Sequence, residues 1–180
     1  MPERKRRVAK RPRLSRLSHR EARPRLSHVD ARGRVQMVDV SDKPETDRQA
    51  VAEAVVTMSA AARRAIRRRE VRKGDPLQTA RLAGMLAAKR TADLIPLCHP
   101  LPLSLVEVLL RPTRRGYTIR ARVRTFGRTG VEMEALVAAS TAALTLYDML
   151  KAVDRGMVLH AVRLEEKRGG ASGVYRRGAR

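Results

Sequence analysis

Cysteine and aromatic chemistry are almost missing from this chain. Among 180 residues there is one cysteine, no tryptophan, one phenylalanine and three tyrosines. A single Cys98 forms no internal disulfide, and without a CxxC pair there is no structural zinc site of the usual spacing. Four aromatics do not make the grouped stacking platform that single-stranded nucleic acids use. No run of about 18 apolar residues is present, so no membrane span is expected. The basic N-terminus has no apolar segment behind it, which argues against a secretory signal and for a cytoplasmic protein. Acidic residues are scarce as well: 18 stand against 40 Lys and Arg, a formal net charge of +22. The partners of such a surface are anions.

The charge is uneven. Residues 1–25 carry 11 basic and 2 acidic side chains and three prolines, with no apolar periodicity, and Arg-Leu-Ser-His at 16–19 recurs at 25–28. This reads as a disordered basic extension, either idle or open to nonspecific nucleic-acid contact. Residues 26–173 read as one folded domain, and 174–180 as a flexible basic tail.

Within the domain, Val35–Val40 has strand composition. Thr46 and Gln49 fit a capping box, and Val51, Ala54, Val55, Met58, Ala62 and Ile66 fall at helical spacing, which predicts a helix ending in Arg67-Arg68-Arg69. Asp75-Pro76 starts a second helix with a small-residue face. Leu105–Arg111 and Tyr117–Thr125 alternate as strands around Arg114-Arg115-Gly116. Glu134–Asp154 reads as a long helix and Met157–Leu164 as a last strand. The order implies an α+β, ferredoxin-like arrangement, a mainly antiparallel sheet with helices on one face. The arginines alternating along 117–125 need be no more than a solvated strand face.

Four spots exceed what folding requires. Lys73-Gly74-Asp75 precedes a helix start, where phosphate is attracted, though a plain turn explains it too. Leu97-Cys98-His99-Pro100 holds an imidazole between prolines. Cys98 reads there as a small buried hydrophobe, and no second His stands at metal-ligand spacing. Glu132 and Glu134 share a face if extended, as an entry after Gly130 allows, and point apart if helical; they either grip an N–H edge or favour a helix start. Asp148 and Lys151 sit at i, i+3, as an ion pair or, among other cations, as an acid–base pair whose lysine gives up its proton more easily. A fifth, weaker feature is the glycine-rich run from Lys167 to Gly173, which can nest a phosphate but lacks the Walker pattern.

Taken together, Met37–Ser41, Lys73–Asp75, Asp93–Leu101, Thr129–Leu136 and Tyr147–Ala152 resemble cyclic pyranopterin monophosphate synthases, lyases of molybdenum cofactor biosynthesis. The resemblance runs from about Leu26 to Gly173. It implies a ferredoxin-like fold and a homohexamer, a trimer of dimers with sites between protomers. It implies conversion of a 3′,8-cyclised dihydro-GTP to cyclic pyranopterin monophosphate and diphosphate. No redox cofactor is implied, and no metal. By motif, catalytic roles fall on Lys73, Asp148 and Lys151. Substrate contacts fall on Leu97, Cys98, His99, Glu132, Met133, Glu134 and Lys167. Ala171 stands where the family usually has lysine, which leaves one phosphate contact to Arg168, Arg176 or Arg177, or to none. Two other readings are a basic nucleic-acid-binding module and a catalytically silent relative.

Overall fold

The computed structural model describes residues 33–178; the basic extension read over residues 1–25 lies outside the described residues. Strand β1 (Thr46–Thr57) places Ala50, Ala52, Ala54 and Val56 on the core face, each with no exposed surface. The helix expected across 46–66 is therefore two elements, β1 and α1 (Ala60–Arg68). Its helical spacing came from mixing residues of both strand faces, because Val51 and Val55 on the other face are apolar as well. The β-branched Val51, Val55, Val56 and Thr57 prefer the pleated conformation once strands lie on both sides. The true cap is Ser59, whose Oγ accepts the Ala62 N–H at 3.2 Å.

Helix α2 (Pro76–Ala88) starts where expected, with the Asp75 carboxylate accepting the N–H groups of Leu77 and Gln78. A one-turn helix, α3 (Thr91–Leu94), follows. The hairpin of β2 (Leu103–Thr113) and β3 (Gly116–Gly127) is longer than its sequence signal. Helix α4 (Glu132–Leu150) is followed by β4 (Val158–Arg168) and a two-residue β5 (Tyr175–Arg176) on β4, inside the stretch read as a tail. Val35–Val40 forms no strand beyond one bridge at Val35. With Val35 72% and Met37 43% exposed, little burial favours one.

The sheet order is β2-β3-β1-β4-β5, and its paired strands are antiparallel. With the helices on one face, this is the ferredoxin-like arrangement. The core is built from small residues: Ala80 and Gly84 of α2 meet Ala138 and Ala142 of α4, which lies over Ile119 and Ala121 of β3. Fully buried Ile119, Leu146 and Leu150 add about 1.5–3 kcal/mol each. By length and composition α4 is the one helix among the described residues apolar enough to cross a membrane, and half of it is buried in this core. On the opposite sheet face the β3 arginines pair across strands, Arg122 with Glu107 at 2.9 Å and Arg124 with Asp47 at 3.1 Å.

Candidate active site

Helix α4 organises the candidate residues, which lie at its two ends. At the C-terminal end, Asp148 presents both carboxylate oxygens outward. Lys73 donates to Oδ2 at 2.7 Å, and Lys151 pairs with Oδ1 at 2.8 Å. Lys73 also donates to the Asp148 carbonyl at 3.0 Å, so its ammonium caps one of the last-turn carbonyls that a helix leaves unpaired. Lys73 reaches this point because the chain turns twice. Arg69 adopts a left-handed conformation beyond α1, and Gly74 follows at φ +99° with its N–H on the Val71 carbonyl. The two ammonium groups bracket Asp148 and hold its carboxyl down at about 2, Lys151 contributing most. Reciprocally, Asp148 raises the pKa of Lys151. This reverses the expectation that crowded cations loosen the Lys151 proton: a carboxylate stands between the two amines and keeps Lys151 an ammonium.

At the N-terminal end lies a cleft of about 380 Å³ lined by Leu97, Cys98 and His99, by Glu132, Met133 and Glu134, and by Val38 and Lys43. The entry into α4 is helical from Glu132, not extended, so the two glutamates diverge. Glu132 lies 3.8 Å from the Lys167 amine, whereas Glu134 is 4% exposed and burial pushes its carboxyl up. Burial, helped by Glu134, also pushes the Cys98 thiol up. That keeps it a neutral thiol, although Cys98 is half-buried on the cleft wall and not fully buried as read from the sequence. The Cys98 N–H donates to Ile95 at 3.0 Å, which fixes the turn before His99.

Lys167 borders a smaller cavity of about 130 Å³ lined by Arg48, Glu132, Arg168, Gly169 and Ser172. Its amine contacts the Ser172 hydroxyl. Gly169 and Gly170 both have positive φ. A Cβ at Gly169 would lie 2.2 Å from the Asp47 carbonyl, and one at Gly170 would lie 2.2 Å from the Arg48 guanidinium. Arg48, anchored to the Gly127 carbonyl at 2.8 Å, is a cation the sequence did not single out. The pairing of β1 with β4, absent from any local motif, brings it beside Lys167. Arg168 and Arg176 are engaged by Glu166, and Arg177 donates to the Leu164 carbonyl. Ala171 is exposed on the same turn.

A single chain therefore brings Lys73, Asp148 and Lys151 together at one pole, and Leu97–His99, Glu132–Glu134 and Lys167 at the other. Nineteen helical residues span about 27 Å between the poles. Among the described residues no cluster of three or more His, Cys, Asp or Glu converges as a metal site would require.

Several curated proteins are similar to this chain in sequence. A protein of Thermomicrobium roseum is 56% identical over 140 residues, covering 77% of this chain and 84% of the relative. A Nostoc protein is 57% identical over 138 residues, covering 76% and 82%, and one from Parvibaculum lavamentivorans 54% over 139, covering 76% and 87%. Each is named cyclic pyranopterin monophosphate synthase. The family model described as the MoaC family matches residues 37–170, a span that takes in the cleft, the amine–carboxylate cluster and Lys167, and the chain belongs to that family.

Proposed function

We propose that this chain is a lyase of molybdenum cofactor biosynthesis. It would convert (8S)-3′,8-cyclo-7,8-dihydroguanosine 5′-triphosphate to cyclic pyranopterin monophosphate and diphosphate. The observation that carries the reading is the convergence of Lys73 and Lys151 on the two oxygens of Asp148, in a chain whose relatives bear that enzyme's name.

The chemistry suits the residues. A ribose hydroxyl attacks the α-phosphorus, the new P–O bond closes the cyclic phosphate, and the bond from the α-phosphorus to the bridging oxygen breaks. Diphosphate departs with the electron pair and takes a proton from a lysine ammonium, and the proton lost by the hydroxyl replaces it. Charge grows on the leaving oxygens, which ammonium groups stabilise. Lys73 and Lys151 are placed for this, and each has a proton to give. Asp148 orients both amines and, as a carboxylate, balances their charge. At the other pole, Glu132 and Glu134 suit the N–H edge of a guanine-derived ring. The 95–98 turn presents the His99 imidazole, and Arg48 and Lys167 suit phosphate oxygens.

A mononucleotide does not bridge both poles of one protomer. We therefore place the complete site between copies, the amine pole of one facing the cleft of another, in a hexamer of three dimers. Incubation with the enzymatically prepared cyclised precursor, followed by identification of the product, tests the reaction. Lys73→Ala and Lys151→Ala are each expected to keep the wild-type circular dichroism spectrum and to lose turnover by at least about 10²-fold. Full turnover in either would remove that lysine from the reaction.

A further inference from the structure

The pole that carries Lys73 and Lys151 is far more basic than folding or those two lysines require. Residues 59–75, 111–115 and 148–155 hold twelve Lys and Arg side chains against four Asp and Glu. The opposite pole, residues 33–48, 89–99, 124–134 and 165–177, holds eleven against nine. The basic segments are tied into one rim. Met58 N–H donates to the Arg115 carbonyl at 2.9 Å, Arg63 to the Arg114 carbonyl at 2.6 Å, and Ser59 N–H to Asp154 at 2.6 Å. Arg67 and Asp75 act on the Tyr117 hydroxyl with opposite sign. Arg155 lies near enough to Lys151 to oppose its charge.

Local stability does not explain this rim. Arg67 and Arg68 in the last turn of α1 suit the helix dipole, at about 0.3–1 kcal/mol. Arg63 with Arg67, and Arg64 with Arg68, are like-charged i, i+4 pairs that cost about 0.2–0.5 kcal/mol each. Arg114 and Arg115 belong to no helix and are exposed, as are Arg64, Arg67, Arg68 and Arg72. The carboxylate nearest Arg68 is Glu70, at 3.8 Å and exposed, which contributes little.

We propose that the exposed arginines of α1 and the β2–β3 turn form a capture rim for the polyphosphate of the substrate, concentrating it at Lys73 and Lys151. The inference rests on the reading of that cluster as the reactive pole. A one-sided field raises local anion concentration and encounter rate, and guanidinium groups match phosphate oxygens in pairs. Of the two tyrosines near the rim, Tyr117 is buried and Tyr147 is half-buried with its hydroxyl on the Arg155 carbonyl, so no grouped stacking platform is present and the rim favours phosphate over bases.

The test uses the full-length chain and the variant R64Q/R67Q/R68Q/R114Q, which leaves Lys73, Asp148 and Lys151 in place. Binding of inorganic triphosphate is measured by calorimetry at about 50 and 300 mM salt, where the screening length falls from roughly 14 to 6 Å. The kcat and KM for the cyclised nucleotide are measured in parallel. At low salt the Kd and KM of the variant are expected to rise about 5- to 10-fold with kcat within about twofold, and the gap should close at high salt. Equal low-salt Kd and KM in both proteins, or a deficit that salt does not reduce, overturns the rim. A double-stranded RNA that binds the wild type more tightly than triphosphate at high salt, and that the variant fails to bind, overturns it in favour of a nucleic-acid surface. If the quadruple variant does not fold, R64Q/R114Q is read the same way, with about a twofold low-salt effect expected and none overturning the rim. Wild-type protein that turns over no nucleotide, yet binds triphosphate through the rim, refutes the assigned reaction and leaves the capture surface standing.

Discussion

Asp148 is the residue on which the amine pole turns, and its titration reports the geometry directly. Its carboxyl is depressed to about 2 from the ordinary value near 3.9. A depressed acid is charged throughout the neutral range, so its bond to both lysines is fully present above about pH 3.9. It is lost only as the pH falls through about 2. Lys151→Ala is expected to move the Asp148 midpoint upward more than Lys73→Ala, because Lys151 is the larger cause. Side-chain carboxyl NMR across pH 1.5–6 reads both midpoints, and an unmoved midpoint in Lys151→Ala would show that the pair is not formed in solution. A second residue-scale test concerns Arg69, which holds φ +56° at the end of α1 with its N–H on the Ala65 and Ile66 carbonyls. Glycine adopts that conformation without the Cβ penalty, so Arg69→Gly is expected to stabilise the fold by about 1 kcal/mol in urea denaturation. No residue pattern signals this strain, since a triple arginine reads as a favourable helix end whatever its backbone does.

At the scale of elements, the contrast between α2 and β1 shows what local pattern carries. Asp75-Pro76 contains its own start signal, a carboxylate for the first N–H groups and a ring suited to the first turn, so α2 was legible. Along β3, Tyr117, Ile119, Ala121 and Val123 are buried while Arg120, Arg122 and Arg124 are exposed, so its period of two was legible as well. Strand β1 has apolar residues on both faces, which erases that period, and its identity comes from β3 and β4 on either side. The small-residue face of α2 was also legible, and its reason is now concrete. A Cβ on Gly84 would lie 2.8 Å from the Ala138 carbonyl of α4. Alanine gains about 1 kcal/mol in helix propensity, but pushing two helices apart costs about 1–3. Gly84→Ala is therefore expected to lower the melting temperature by a few degrees, and an unchanged or higher value would mean that the two helices are not in such close contact.

At the scale of the whole molecule, the motifs were legible one by one but their distribution was not. Lys73 and Asp148 stand 75 positions apart in the chain, and Lys167 meets Glu132 across 35. Only the ferredoxin-like crossing of the sheet brings each pair together. The same topology pins Asp148 and Glu132 to opposite ends of one rigid helix, a separation that no sequence motif expresses. If both poles serve one substrate, they come from different copies, and a two-fold pairing then places one amine pole against one cleft at each of two sites. Lys151→Ala and His99→Ala chains would each be inactive alone. Mixed through dissociation and reassembly, half the pairs would contain both variants, and one site in each such pair would have every wild-type group. The mixture is therefore expected to recover about a quarter of wild-type turnover. A site confined to one protomer gives no recovery at any mixing ratio, because every chain then carries a defect in its own site.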